Sequence, residues 1–160
     1  FARLPASVDG RPLHLAIAGE GPLREELEAA AARAGLDDRV HWPGWLMDPD
    51  PWFRAADLFV CPSRHEPLGN VVLEGWSHAL PVVSTRSEGP AELISDGVDG
   101  VLVDVESPES LAEALRRLLA CGDERERLAR AGLETVRRRH SPAVVTDAYE
   151  ELYRKVTPRR

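Results

Sequence analysis

Short apolar runs and longer amphipathic stretches alternate along this chain, and the alternation predicts its elements. Leu13-His-Leu-Ala-Ile17, Arg39-Val-His-Trp42, Leu58-Phe-Val-Cys-Pro62, Pro81-Val-Val-Ser-Thr85 and Val101-Leu-Val103 are short and bounded by Gly, Pro, Asp or Ser, the pattern of buried strands. Between them the period changes to that of a helix, over Leu23–Ala34, Pro51–Ala56, Asn70–Ala79, Pro90–Ile94 and Pro108–Ala120. Two further helices, about Asp123–His140 and Pro142–Val156, complete the chain.

Local signals set the helix ends. Gly35 stops the first helix, Ser107-Pro108 starts a later one, and Ser141 is placed to cap the last. Leu111, Leu115, Leu118 and Leu119 mark the face that the 108–120 helix buries. Strands that alternate with helices need crossover connections. The fold class is therefore α/β, a doubly wound, Rossmann-like parallel sheet covered on both faces.

The chain has 160 residues, enough for one well-buried core, and no internal repeat or linker divides it. Twenty Lys and Arg against 27 Asp and Glu give a net charge of −7, which argues against general nucleic-acid affinity. The basic run Arg137-Arg-Arg139 closes a helical segment, where cations offset the helix dipole. Cys61 and Cys121 fit no metal or redox spacing and read as reduced thiols of a cytoplasmic protein, with Cys61 in a core strand. The apolar runs are far short of a membrane span.

The chemistry concentrates in Glu66-Pro-Leu-Gly-Asn-Val-Val-Leu-Glu74, which crosses from an apolar strand into a helix. Open α/β sheets bind ligands at such crossings. Gly69 lets backbone approach a ligand closely, and the helix's first N–H groups carry the positive end of its dipole. Ionised carboxylates only accept hydrogen bonds and sugar hydroxyls readily donate them, so the pair suits a polyhydroxylated ligand. Dipole compensation by two surface glutamates is the competing reading; Pro67, Gly69 and Asn70, turn chemistry set between strand and helix, favour the site.

That run is similar to the signature of retaining nucleotide-sugar glycosyltransferases of family four, which have the two-domain GT-B fold. The resemblance extends from about Leu13 to about Val156 through Ala18-Gly-Glu-Gly-Pro22, Trp42-Pro-Gly-Trp45, Ala56-Asp-Leu-Phe-Val-Cys-Pro-Ser63, Leu80-Pro-Val-Val-Ser84, Gly89-Pro-Ala-Glu-Leu-Ile94 and Asp96-Gly-Val-Asp-Gly-Val-Leu-Val103. Leu68 stands where the family usually has Phe, and Gly75 where it has a small residue such as Ala. The order and spacing of these segments are specific; any one alone would be weak.

The resemblance implies the C-terminal, donor-binding half of a GT-B enzyme, with its first strand, first helix and phosphate-binding Arg and Lys upstream of Phe1, and with the acceptor domain absent. Residues 1–160 are expected to form one nucleotide-sugar-binding domain, loose over 1–11 and 157–160. Glu66 is the implied catalytic residue, meeting donor-sugar hydroxyls with the N–H groups of Leu68, Gly69 and Asn70, and Glu74 meets the ribose. Gly19 and Gly21 fall at the base of the donor crevice, although as turn chemistry they need no ligand. Trp45 and Leu46 fall beside the nucleobase, with Trp45 equally suited to packing. The 88–92 loop resembles one that lines the donor pocket, although Glu92 by itself reads as helix-terminal charge.

The implied reaction moves a hexose from a nucleotide diphosphate sugar to a saccharide or lipid-linked acceptor with retention. No cofactor and no metal are implied, no nucleic acid is a partner, and the isolated chain is expected to be inactive. The spelling around Glu66, with Asn70 and Trp76-Ser-His78, resembles lipopolysaccharide and cell-envelope members, whose parent enzymes can lie peripherally at the inner membrane. Histidines 14, 41, 65, 78 and 140 show no paired spacing on a helix, and each reads as structural or surface, with His65 and Arg64 as exposed loop positions. Three other classes stay open at this point: a nucleotide-sugar epimerase of GT-B fold, a non-catalytic nucleotide-binding module, and a flavodoxin-like receiver or flavin domain, though the strand ends lack a receiver's acidic cluster.

Overall fold

The computed structural model describes residues 1–157 of the chain; the 158–160 part of the tail expected to be loose lies outside the described residues. Fourteen elements run in the order β1 (Ser7–Val8), β2 (Arg11–Pro12), β3 (Leu15–Ala18), α1 (Arg24–Arg33), β4 (Val40–Gly44), α2 (Asp50–Ala55), β5 (Phe59–Cys61), α3 (Asn70–Ser77), β6 (Val82–Thr85), α4 (Glu88–Leu93), β7 (Val101–Val103), α5 (Pro108–Ala120), α6 (Gly122–Arg139) and α7 (Pro142–Val156). Every strand and helix expected from the hydrophobic pattern is present, with boundaries displaced by at most two residues.

The parallel pairing expected of an α/β chain is found, but in two blocks. β3 pairs with β4, with a register shift between Ala16 and Ala18, and β5, β6 and β7 form a separate three-stranded sheet in that order. The third sheet is an antiparallel hairpin of β1 and β2, absent from the sequence-based expectation. Its turn is Asp9-Gly10, with φ of 50° and 76°, the left-handed pair that a two-residue hairpin requires. Near the start of the chain, Phe1 lies under the Arg39 guanidinium at 5.1 Å, and Arg116 donates to the carbonyl oxygen of Arg3.

The three-stranded sheet carries the core because alternate residues of a strand face opposite ways. Val82 and Leu102 point to one side, where Val72 and Trp76 of α3, Ile94, and Val136 of α6 meet them. Val83, Val101 and Val103 point to the other, against Ala114 and Leu118 of α5 and Leu128 of α6. Leu111 and Leu115 pack beside this second cluster, as the spacing of leucines predicts, and Cys61 is buried. Trp76 is wholly buried and donates from Nε1 to the Asp99 carbonyl at 2.8 Å. It fits because Gly132 of α6 lies against its ring; a Cβ there would fall inside the ring's van der Waals surface.

Capping follows the sequence. The Ser107 hydroxyl accepts from the Ser110 N–H and the Ser141 hydroxyl from the Val144 N–H. α3 ends differently, in a Schellman turn: the N–H groups of Ala79 and Leu80 donate to the carbonyls of Trp76 and Gly75, each at 3.0 Å. Ala79 takes the left-handed position with φ of 54°, a conformation normally given to glycine.

Candidate functional site

All strands within each parallel block point one way, so the segments after β3 and β4 share one end of their block, and those after β5 and β6 share one end of theirs. These segments carry the residues singled out above. After β3, Gly19 donates its N–H to the Gly44 carbonyl at 2.7 Å, and Arg24 donates to the Trp42 carbonyl at 3.0 Å. The Gly19-Glu-Gly21 turn and the Trp42-Pro-Gly-Trp45 segment are therefore held side by side. Gly21 is exposed, Leu46 is half-buried, and Trp45 is 74% exposed and so does not serve as a packing residue within the described chain.

The segment between β5 and α3 is tied down at several points. Glu66 Oε1 accepts from the Gly69 N–H at 3.0 Å, which folds the Glu66-Pro-Leu-Gly69 turn back on itself. The Gly69 N–H, expected to face a ligand, is thus already occupied by the Glu66 carboxylate. A carboxylate has two oxygens, and Oε2 remains for a further donor. Gly69 sits at the N-cap of α3 with φ of 73°, where a side chain would be strained and would also meet Leu93 Cδ1 at 2.6 Å. Asn70 opens α3 and is exposed, Leu68 is 70% exposed, and Glu74 is exposed one turn beyond Asn70 on the same helix face.

The start of α4 completes the frame. The Gly89 N–H donates to the Glu66 carbonyl at 2.8 Å, and the Glu66 N–H donates to Glu88 Oε2 at 3.2 Å. Gly89 is packed so closely on the Leu68-Gly69 peptide that a Cβ on it would enter the backbone itself. Glu88 also bonds His65, at 3.1 Å from Oε1 to Nδ1. Its carboxyl is held below the usual range by its own backbone N–H first, then by His65 and by the N–H of Glu66. Sequence reasoning placed Glu88-Gly89-Pro90 near the site only by resemblance. The legible signal was Gly followed by Pro after an acidic residue, which marks a helix start but not what lies against it.

Histidines that looked scattered are brought into contacts by the fold. His14, just before β3, and His41 of β4 stack with Nδ1 and Nε2 3.0 Å apart, and His78 joins Asp50. His65 and Arg64 are exposed as expected, the latter paired with Glu106 at 3.0 Å. Two concavities lie away from Glu66 and Glu74. One of about 410 Å³ runs along α6 beside Arg127, Arg130 and Arg137, and one of about 670 Å³ lies between β7 and α5. Among the described residues no group of three or more His, Cys, Asp or Glu is set to hold a metal, and no helix is long and apolar enough to cross a membrane.

The domain is of the α/β class with parallel strands, and its strand ends, where such sheets generally bind ligands, carry a glycine-hinged turn and two carboxylates on either side of a helix start. Similarity to known proteins shows the family. The chain belongs to the Glycosyl transferases group 1 family, whose profile matches residues 1–121. It is 42% identical over 151 residues to the lipopolysaccharide core biosynthesis glycosyltransferase LpsE of Rhizobium meliloti (strain 1021), covering 94% of this chain and 43% of that protein. Against LpsD of the same organism it is 41% identical over 147 residues, 92% of this chain and 43% of that one.

Among solved structures, WaaG, a glycosyltransferase involved in lipopolysaccharide biosynthesis, superposes with a TM-score of 0.78 at 30% identity over 92% of this chain and 40% of that one. Anabaena Alr3699/HepE in complex with UDP superposes with a TM-score of 0.88 at 22% identity, over 97% of this chain and 43% of that one, a likeness of fold. The architecture is that of the C-terminal half of a GT-B glycosyltransferase. The chain spans less than half the length of these relatives.

Proposed function

We propose that this domain binds the nucleotide diphosphate sugar donor of a retaining hexosyltransferase, with Glu66 at the sugar and Glu74 at the ribose. The observation that carries the reading is the Glu66–Gly69 turn, held against Gly89 by backbone contact and by the Glu66 carbonyl. A turn fixed in this way presents Glu66 Oε2 and the start of α3 without paying to order them on binding. The Leu68 and Asn70 N–H groups flank the same position, while the Gly69 N–H holds Glu66 in place. Exposed Trp45, half-buried Leu46 and the Gly19–Gly21 turn form the nucleotide side.

Glu66 acts by position and charge, gaining strength as the sugar distorts and positive charge grows at its anomeric carbon. The acceptor, a saccharide or a lipid-linked saccharide, is read by a second half of the protein, and the similarity to LpsE, LpsD and WaaG supports a role in lipopolysaccharide or other envelope-glycan assembly at the cytoplasmic side of the membrane. No metal is required for this scheme.

Titrating the 160-residue chain with UDP, GDP and ADP and with their hexose conjugates tests the reading. One nucleotide should bind in preference to the others. The amide resonances of Gly19, Trp45, Leu68 and Glu74 should move together. Equal failure of all ligands, or shifts confined to other regions, would overturn it.

A further inference from the structure

α3 ends on a histidine whose two ring nitrogens both face acceptors. Nδ1 of His78 lies 2.8 Å from the carbonyl oxygen of Glu74, and Nε2 lies 2.9 Å from Oδ1 of Asp50. A carbonyl oxygen and a carboxylate oxygen can only accept, and a neutral imidazole carries a single N–H. Both contacts are satisfied together only by the imidazolium. The ring is 23% exposed and stacks on Phe53 of α2, with centroids 4.6 Å apart and planes at 15°.

The charged groups that face this ring all come from α2 and the residues just before it. Asp50 accepts from His78 and from the guanidinium of Arg54, and its backbone N–H donates to Asp48 Oδ1 at 3.0 Å. From α3 itself the contact is the backbone of Glu74, not its side chain. The Glu74 carbonyl, then Asp50, hold the His78 ring above its ordinary pKa; Arg54, then His78, hold the Asp50 carboxyl below its own.

One end of this clamp is thus the peptide of Glu74, and the other is the residue that opens α2 directly after the Trp45-to-Pro49 segment. We propose that His78 is a positioning residue for the donor site, joining the Glu74 turn of α3 to the segment that carries Trp45 and Leu46 while its ring is protonated, so that nucleotide affinity falls when the proton leaves. This rests on the donor-site reading above. A neutral ring keeps only one of the two bonds; at the other nitrogen a lone pair faces an oxygen lone pair, so the Glu74 carbonyl and Asp50 are no longer held together through one ring.

Because the folded ring holds its proton above the ordinary histidine value of about 6.5, the clamp is complete below that pH, persists somewhat above it, and is lost as pH rises through the raised value. On the acid side it persists until Asp50 itself takes a proton, below the usual carboxylate range.

The ring C–H resonances of His78 should be followed across pH in the 160-residue chain, with the amides of Trp45, Leu46, Met47 and Asp50, and UDP should be titrated into the millimolar range on both sides of the midpoint. The ring should titrate above the ordinary value, the four amides should share its midpoint, and the UDP dissociation constant should rise about threefold to tenfold on deprotonation. Asp50→Asn should lower the ring's midpoint and bind UDP weakly at both pH values, whereas Asp50→Glu should retain the pH step. A His78 midpoint at or below the ordinary value, a midpoint unmoved by Asp50→Asn, or loop amides indifferent to it would each overturn the clamp. Absence of UDP binding by the wild-type chain at every pH would overturn the donor reading and the affinity effect with it, while the ring and loop resonances decide the clamp separately.

Discussion

Glu66 and Glu74 share a motif but have different surroundings. Glu66 is half-buried, with its carbonyl, its N–H and one carboxylate oxygen all engaged by Gly89, Glu88 and Gly69. Glu74 is exposed on the helix face, and His78 meets its backbone carbonyl rather than its side chain. A carboxylate fixed in this way suits a group whose charge changes during reaction, and an exposed one suits a hydroxyl that is bound equally in ground and transition states. In a full-length enzyme carrying this domain, Glu66→Gln should lower kcat by about tenfold to a hundredfold, the loss of one charge-assisted hydrogen bond. Glu74→Gln should instead raise the donor KM with kcat little changed. Steady-state kinetics with varied donor separate the two, and near wild-type constants for both would make the glutamates surface charge.

At the scale of the element, α3 joins the site to the core. Its inner face carries Val72, Gly75 and Trp76, and its ends are unlike each other. The N-terminus is shaped by Gly69 and the Glu66 carboxylate, and the C-terminus is a Schellman turn forced onto Ala79. An L-residue in the left-handed region costs about 1–2 kcal/mol, of which glycine recovers part after its own entropic loss. Ala79 is exposed, so nothing is lost in packing. Ala79→Gly should therefore stabilise the chain by about 0.5–1 kcal/mol, read as a rise of about 2 °C in Tm. Denaturation curves with no shift, or a fall, would show that the strain is relieved elsewhere.

At the scale of the whole molecule, the chain matches less than half the length of its relatives. The chain covers 43% of LpsE and 40% of the WaaG structure, and the residues proposed to meet the donor lie at the strand ends rather than in either of the two open concavities. The 160-residue chain supplied with donor and acceptor should form no glycosidic product, since orientation of two reactants contributes about 7–11 kcal/mol to such a barrier and only one of them is held. A product assay with radiolabelled donor checks this; turnover by this chain alone would refute it.

Much of this was legible from the order of residues, because period, turn chemistry and capping are local properties. The five core strands, the seven helices, the Ser107 and Ser141 caps and the Glu66-to-Glu74 motif at a strand-to-helix crossing follow from neighbours a few positions apart. Even the hairpin at Asp9-Gly10 was encoded locally, but two-residue strands carry no alternation by which to find it. What only the tertiary structure decided depends on residues far apart in the chain. It separated the parallel strands into two blocks, set Gly89 against Leu68, buried Trp76 in the space left by Gly132, and brought His78 to Asp50 across 28 positions. Such contacts arise when packed helices and strands bring distant segments within a few ångströms, and no short window of sequence records which segments those are.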